Sequence, residues 1–103
     1  MSVSAGLVGA PTLCEGLEGP CGERTFAIAQ AAALPIARVS ELAVRAAIAF
    51  AYTHLGVLVE PSAAVVIAAV RAGLVPPGDR VLVLSGGNVE PDLLDEILLS
   101  RPA

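Results

Sequence analysis

Apolar runs along the chain alternate with breaks of glycine, proline and small polar residues, and their spacing predicts helices joined by short extended segments. Ser40 is a typical N-cap residue ahead of an apolar stretch that ends at Gly56, a common residue just beyond a helix C-terminus. Pro61 fits the first turn of the next helix, which again ends at a glycine, Gly73. The predicted helices span residues 23–33, 40–55, 60–72 and 91–99.

Two segments are predicted to be strands, Leu34–Val39 and Arg80–Leu84. Pro35 lies near the start of the first strand, where its missing N–H does least harm. Residues 81–84 of the second are continuously apolar instead of alternating. Such a run is typical of a strand that helices cover on both faces of a parallel sheet.

The composition is too apolar for a small protein that stands alone. Hydrophobic residues make up 55% of the 103 residues, and charged residues make up 16%, against about 25% in an average soluble domain. Residues 46–51 and 63–70 are apolar all round, which is typical of helices inside a larger body. The sequence therefore predicts a partial three-layer α/β fragment, with few parallel strands and flanking helices, that packs against sheet and helices from elsewhere.

The charge distribution argues against several classes of partner. The net charge is −4, and the six basic residues, all of them arginine, are scattered. Nucleic acids and anionic membrane surfaces bind concentrated positive charge, so we expect neither as a partner. The apolar stretches are shorter than the roughly 18–20 residues that span a bilayer, and no secretory signal pattern is visible. Cys14 and Cys21 match neither a zinc motif nor a disulfide framework, and free thiols are typical of the cytoplasm.

The loop Ser85-Gly86-Gly87-Asn88 is the first candidate binding site, because it follows a predicted strand and precedes a helix. Its glycines would let a ligand approach the backbone, and Ser85 offers a hydroxyl. The loop matches neither G-x-G-x-x-G nor the P-loop pattern, and the carboxylates that follow it would repel a phosphate. The pattern favours a neutral polar ligand edge, and a tight turn without a ligand fits it equally well.

The other polar residues have structural interpretations that need no ligand. His54 is the only histidine; no catalytic partner can be assigned to it, and its place near a helix end predicts a solvated side chain. Glu60 stands at a helix start, where a carboxylate is useful by itself. The acidic residues between Glu90 and Glu96 are most simply a solvated first turn, and we predict no metal site.

Four segments, in order and in register, resemble motifs of threonine dehydratases and serine racemases. Residues 12–19 (TLCEGLEG) are similar to TIADGL-x-G, and residues 22–26 (GERTF) are similar to the helix start that follows it. Residues 56–65 (GVLVEPSAAV) resemble L-V-x-E-P-x-x-A-V, and residues 81–89 (VLVLSGGNV) resemble V-x-x-V-L-S-G-G-N-I/V. The resemblance covers most of the chain.

The resemblance implies a pyridoxal-phosphate enzyme with the tryptophan synthase β-like fold, called fold type II. By this resemblance the chain is the last part of the large domain, and the Ser85 hydroxyl would bond to the pyridine nitrogen of the cofactor. Gly86, Gly87 and Asn88 would shape the same wall of the site, and Glu60 would lie near that end of the sheet. The activity implied is threonine or serine dehydration, that is an ammonia-lyase, or racemisation, in amino acid metabolism.

The chain departs from this family in what it lacks. Its sequence contains no lysine, whereas the family attaches its cofactor to one in an S-x-K motif. The family's phosphate-binding glycine loop and cation-binding acidic residues also have no counterpart. We therefore expect a truncated or split segment that is not catalytic alone, with an irregular part at 1–22 and a C-terminal α/β part at 23–103. Its partner would be the remainder of the enzyme or a longer paralogue. The alternative is a non-catalytic interaction module, derived from that fold, that self-associates through apolar faces.

Overall fold

Helices are the only regular secondary structure in residues 11–100, the part of the chain that the computed structural model describes. Four of them are α-helices, and each matches a predicted helix to within a few residues. A short 3-10 helix precedes them. The elements are the 3-10 helix Glu15–Leu17, α1 Glu23–Ala31, α2 Glu41–Phe50, α3 Pro61–Arg71 and α4 Pro91–Ser100.

Local hydrogen bonds explain where α2 begins and where α3 ends. The Ser40 hydroxyl accepts a 3.0 Å hydrogen bond from the Ala43 N–H, which confirms the predicted N-cap of α2. Gly73 adopts a φ of +71°, and the Leu74 N–H then donates to the Ala69 carbonyl at 3.0 Å. This pattern closes the C-terminus of α3 in a Schellman motif, whose left-handed residue is easiest for glycine.

Helix α2 does not stop at Phe50 but widens into a π-helical turn, Ala51–Leu55. Gly56 ends the turn in the left-handed region, with a φ of +65°, as predicted for the end of this helix. The Val57 N–H reaches back to the Ala51 carbonyl at 3.1 Å. The wide turn changes the chain direction just before the segment that leads into α3.

The core lies where α2 packs against α3 on one side and α4 on the other. Ala47, Ala51 and Ala64 have no exposed surface, so the two helix backbones can approach closely. Ile48 and Ile97 fill the space between α2 and α4. At the surface, an ion pair of 2.6 Å joins Arg45 Nη2 to Glu96 Oε1 and adds at most about 1 kcal/mol.

Helix α1 contributes little to this core, since none of its residues is buried. Its Ile28 side chain is 65% exposed, and Phe26 is half-buried. The helix ends with Ala33 at a φ of +52°, which is unusual for a residue with a side chain. The packing of α1 is thus weaker than that of the other three helices.

The predicted α/β fold is wrong: between residues 11 and 100 the only regular secondary structure is helical, and there is no sheet. Neither Leu34–Val39 nor Arg80–Leu84 forms a strand. A strand exists only through hydrogen bonds to a neighbouring strand, and between residues 11 and 100 neither segment has one. Helices cover only one face of the second segment: Leu82 packs against the core, whereas Val81 is 93% exposed and Val83 is 70% exposed.

The predicted division at residues 22 and 23 falls at the start of α1. Upstream, the segment predicted to be irregular contains the 3-10 helix, and its residues 1–10 lie outside the described part, as do residues 101–103 at the other end. The segment 23–103 is not α/β where it is described.

Among the described helices, none combines the length and the apolar character needed to cross a membrane.

Candidate functional site

Two of the segments that carry the resemblance meet in space, at Glu60 and Gly86. The Glu60 N–H donates to the Gly86 carbonyl at 2.9 Å, although the residues lie far apart in sequence. Val59, next to Glu60, is buried in the core and anchors its segment there. The loop that follows Arg80–Leu84 is therefore fixed against the start of α3.

The two glycines of the loop lie close to the Glu60 side chain and to the Leu58 backbone, and only the second neighbour is fixed. A Cβ atom on Gly86 would lie 2.5 Å from Glu60 Cδ and closer still to Oε1. A Cβ atom on Gly87 would lie 2.8 Å from the Leu58 carbonyl oxygen, which belongs to the backbone and cannot rotate away. The sequence predicted that the glycines let a ligand approach. In the structure they let two segments of the same chain approach each other.

The polar side chains of the loop flank this contact and face outward. Ser85 and Asn88 are exposed, and in the described part of the chain neither side chain makes a hydrogen bond. The Val89 N–H donates to the Gly87 carbonyl at 2.9 Å and closes a tight turn. The hydroxyl of Ser85 and the amide of Asn88 are thus available to an external group. Of the predicted site residues, Glu60, Gly86 and Gly87 come together, and Ser85 and Asn88 border them.

A second candidate site, which the sequence did not indicate, is a cavity of about 430 Å³ between the N-terminal described segment and the helical core. The Glu41 carboxylate forms one edge, where the Thr12 hydroxyl donates to Oε1 and the Leu13 N–H donates to Oε2 at 3.0 Å. These two hydrogen bonds hold the pKa of Glu41 below its ordinary value. The cavity is lined by Thr12, Cys14, Leu17, Glu18, Ala37, Arg38, Val39, Glu41, Val44 and Val65.

Cys14 is the one thiol in that lining, and its surroundings favour the protonated form. Burial raises the pKa of the thiol, a hydrogen bond with Thr12 opposes the shift, and the Glu41 charge adds to it. The thiol also lies 3.5 Å from the Pro61 carbonyl, to which it donates. Since the thiolate is the reactive form, these surroundings make Cys14 less reactive than an ordinary exposed thiol.

His54 is exposed, as predicted, and lies at the end of the π-helical turn. Its ring centroid is 5.0 Å from that of Phe50. The Arg71 guanidinium lies over the Phe50 ring, with its central carbon 4.5 Å from the ring centroid. These contacts join the ends of α2 and α3, and within residues 11–100 they bring no acid or nucleophile to the histidine.

Metal ligands are not clustered in the part of the chain that the structure describes, where no three His, Cys, Asp or Glu side chains lie together. The acidic residues near the start of α4 are exposed, and Glu96 pairs with Arg45. Comparisons with known proteins add no identification: the chain matches no family model, no curated protein and no solved structure.

Proposed function

We propose that the chain is a segment of a pyridoxal-phosphate-dependent enzyme of the threonine and serine dehydratase type, and that it is inactive by itself. In this proposal it contributes Ser85, Gly86, Gly87, Asn88 and Glu60 to one wall of the cofactor site. The reaction is an ammonia-lyase reaction on a hydroxy amino acid. The remainder of the enzyme supplies the lysine that this sequence lacks.

The contact between Glu60 and Gly86 is the observation that best supports this proposal. The resemblance assigns the two segments to one site, and the 2.9 Å hydrogen bond between them brings them together without any reference to the family. Gly87 then has no room for a side chain beside the Leu58 carbonyl. A loop held this firmly can present the neighbouring Ser85 hydroxyl in one place.

The residues present fit one edge of the cofactor and no more. Ser85 is exposed and has no hydrogen-bond partner between residues 11 and 100, so its hydroxyl can meet a ring nitrogen. A neutral hydroxyl does not stabilise a protonated ring as a carboxylate would. When bound, pyridoxal phosphate supplies the electron-withdrawing ring of this chemistry, and the protein supplies orientation. The phosphate group has to be held by other parts of the enzyme.

The size of the polypeptide in its source cells tests this proposal first. An antibody raised against residues 85–99 should detect a protein substantially larger than the 10.3 kDa of this chain. That protein should show the visible absorbance of bound pyridoxal phosphate after purification. A band only at the size of this chain would overturn the proposal.

Ser85 can then be tested in the larger protein. Ser85→Ala removes the hydroxyl, and Ser85→Asp places a carboxylate there, which favours protonation of a nearby ring nitrogen. Both should change the absorbance spectrum of the bound cofactor and reduce dehydratase activity. Ser100→Ala, at the far end of α4, is the matched control and should leave both unchanged. Equal spectra for Ser85→Asp and the control would remove Ser85 from the site.

A second candidate function, a non-catalytic interaction module, is favoured by the exposed apolar side chains. Ile36 is 63% exposed and Val81 is 93% exposed, in segments that turn one side toward the core and the other outward. A module that self-associates through them should unfold cooperatively and sediment as one species. An incomplete segment should instead bind a hydrophobic dye and aggregate. Sedimentation velocity of the purified chain over a concentration series distinguishes the two.

A further inference from the structure

Residues 12–18, here called the flap, lie across the starts of α2 and α3 and include the 3-10 helix. In the first turn of α2, Glu41 Oε2 accepts a 3.0 Å hydrogen bond from the Leu13 N–H. In the first turn of α3, Ser62 Oγ accepts one of 3.0 Å from the Gly16 N–H. A Cβ atom on the glycine would lie 2.9 Å from that oxygen, so the flap rests directly on α3.

Hydrogen bonds between backbone groups join the flap only to itself. The Leu17 N–H donates to the Cys14 carbonyl at 3.0 Å, within the 3-10 turn. Between residues 11 and 100, every hydrogen bond from the flap to a helix uses a side chain, namely the Glu41 carboxylate, the Ser62 hydroxyl or the Cys14 thiol. The flap can therefore be released without breaking any backbone hydrogen bond of the helices.

A single buried side chain anchors the flap. Cys14 is 6% exposed and donates to the Pro61 carbonyl, whereas Leu17 is 56% exposed. Gly19 and Gly22 lie between the flap and α1, and no atom lies within 4 Å of a Cβ added to either. A segment with little buried apolar area and with solvent-exposed hydrogen bonds opens at a lower free energy than a packed core does. The flap has both properties, and the chain that follows it is loosely packed.

We propose that the flap opens as one unit while α2, α3 and α4 stay folded, and that this opening removes one wall of the cavity beside Cys14. The flap contributes to the lining of that cavity Thr12, Cys14, Leu17 and Glu18. The remaining lining residues belong to 37–39, α2 and α3, and they keep their places. Access to the cavity is then set by the flap and not by unfolding of the core. The proposal uses none of the residues assigned to the pyridoxal-phosphate site, so either proposal can fail without the other.

The rate at which iodoacetamide alkylates Cys14 tests the proposal, on the full chain or, if that does not unfold cooperatively, on the larger protein that contains it. Mass spectrometry of peptides follows Cys14 and also Cys21, which lies outside the flap and serves as the internal reference. Because a local opening exposes little surface, low urea should change the Cys14 rate by less than about twofold. If only global unfolding exposed the thiol, the rate would rise at least about fivefold per molar urea, which would overturn the proposal.

Variants then separate release of the flap from loss of the core. Ser62→Ala removes the acceptor of the Gly16 N–H, and Gly16→Ala pushes a methyl group against it. Each should speed the labelling of Cys14 by about three- to tenfold, the effect of losing one hydrogen bond. Gly19→Ala, which meets no atom within 4 Å, and Ile48→Val, which weakens the core alone, are the matched controls and should leave the rate unchanged. Equal acceleration by Ile48→Val and Ser62→Ala, or none by either flap variant, would overturn the proposal.

Discussion

The helix pair α2–α3 and the segment Arg80–Leu84 are both strongly apolar in sequence, but they differ in the structure. The pair buries apolar residues at its centre, where Val44 and Ile48 are only 1% exposed. In the segment, Val81 and Val83 are 93% and 70% exposed. A helix satisfies its own backbone hydrogen bonds and needs only one neighbour to bury its side chains, whereas a strand also needs another strand. Apolar residues in the helix pair are therefore buried by the neighbouring helix. The apolar residues of Arg80–Leu84 would need a neighbouring strand, which the described residues do not supply.

The largest expected effect is that of truncating the buried side chain at position 48. Ile48→Ala removes atoms from the packed centre of α2 and should lower the free energy of unfolding by about 2–5 kcal/mol. Urea denaturation followed by circular dichroism measures this, on the chain alone if it unfolds cooperatively and otherwise on the larger protein that contains it. Val81→Ala, a truncation in the exposed segment, is the matched control and should change the value by less than about 0.5 kcal/mol. Comparable losses in both variants would mean that the two regions are equally covered in solution.

The next effect concerns the contact that fixes the apolar segment to the core. Gly87→Ala places a methyl group 2.8 Å from the Leu58 carbonyl oxygen, so one backbone must move. We expect a loss of about 1–3 kcal/mol in the same denaturation experiment. Gly19→Ala is the control, since no atom lies within 4 Å of its added Cβ. An unchanged stability for Gly87→Ala would show that the loop is not held against Leu58.

The helices could be predicted from the sequence because their signals are local. Ser40, Gly56, Pro61 and Gly73 mark helix ends through hydrogen bonds and backbone angles within a few residues. The strands could not be decided in this way, because a strand depends on a partner that the sequence of the strand does not specify. The apolar run at 81–84 was interpreted as a buried strand, and its exposure corrects that interpretation.

The same limit applies to the sites. Glu60 and the two glycines were named as neighbours only through a family resemblance, since residues 26 positions apart give no periodic signal, and their meeting is visible only in the fold. The cavity was not predicted. Thr12 and Glu41 are 29 residues apart, and each has the sequence context of an ordinary capping or surface residue. A carboxylate that accepts two hydrogen bonds from a distant segment is a property of packing, which no local pattern encodes.

A smaller effect tests how far helix α2 depends on its own first turn. Ser40→Ala removes the acceptor of the 3.0 Å hydrogen bond from the Ala43 N–H and should cost about 1 kcal/mol. Ser85→Ala, in the exposed loop, removes a hydroxyl that is not bonded within residues 11–100 and should cost nearly nothing. Unfolding in urea again gives both values. A larger loss for Ser85→Ala would mean that its hydroxyl has a partner in the folded chain.

The smallest expected effect is that of the Glu41 carboxylate, and it depends on pH. Its hydrogen bonds from the Leu13 N–H and the Thr12 hydroxyl lower its pKa from the ordinary 4.5, so the folded state holds the charged form more tightly than the unfolded chain does. The stabilisation is complete above that ordinary value and disappears as the pH falls through the lower pKa of the folded protein. Glu41→Gln should therefore destabilise the chain at pH 7, by less than Ser40→Ala does because the carboxylate is exposed.

The pH dependence separates this contribution from simple loss of packing. The difference in unfolding free energy between the wild type and Glu41→Gln should shrink as the pH is lowered below 4.5, where protonation removes the same charge from the wild type. Thr12→Val, which deletes one of the two donors, should flatten the wild-type pH profile without abolishing it, since the Leu13 N–H still donates at 3.0 Å. A difference that stays constant between pH 7 and pH 3 would mean that Glu41 acts through its shape alone. The segment around Thr12 and Leu13 would then be held against the cavity by uncharged packing contacts, as the α2–α3 core is.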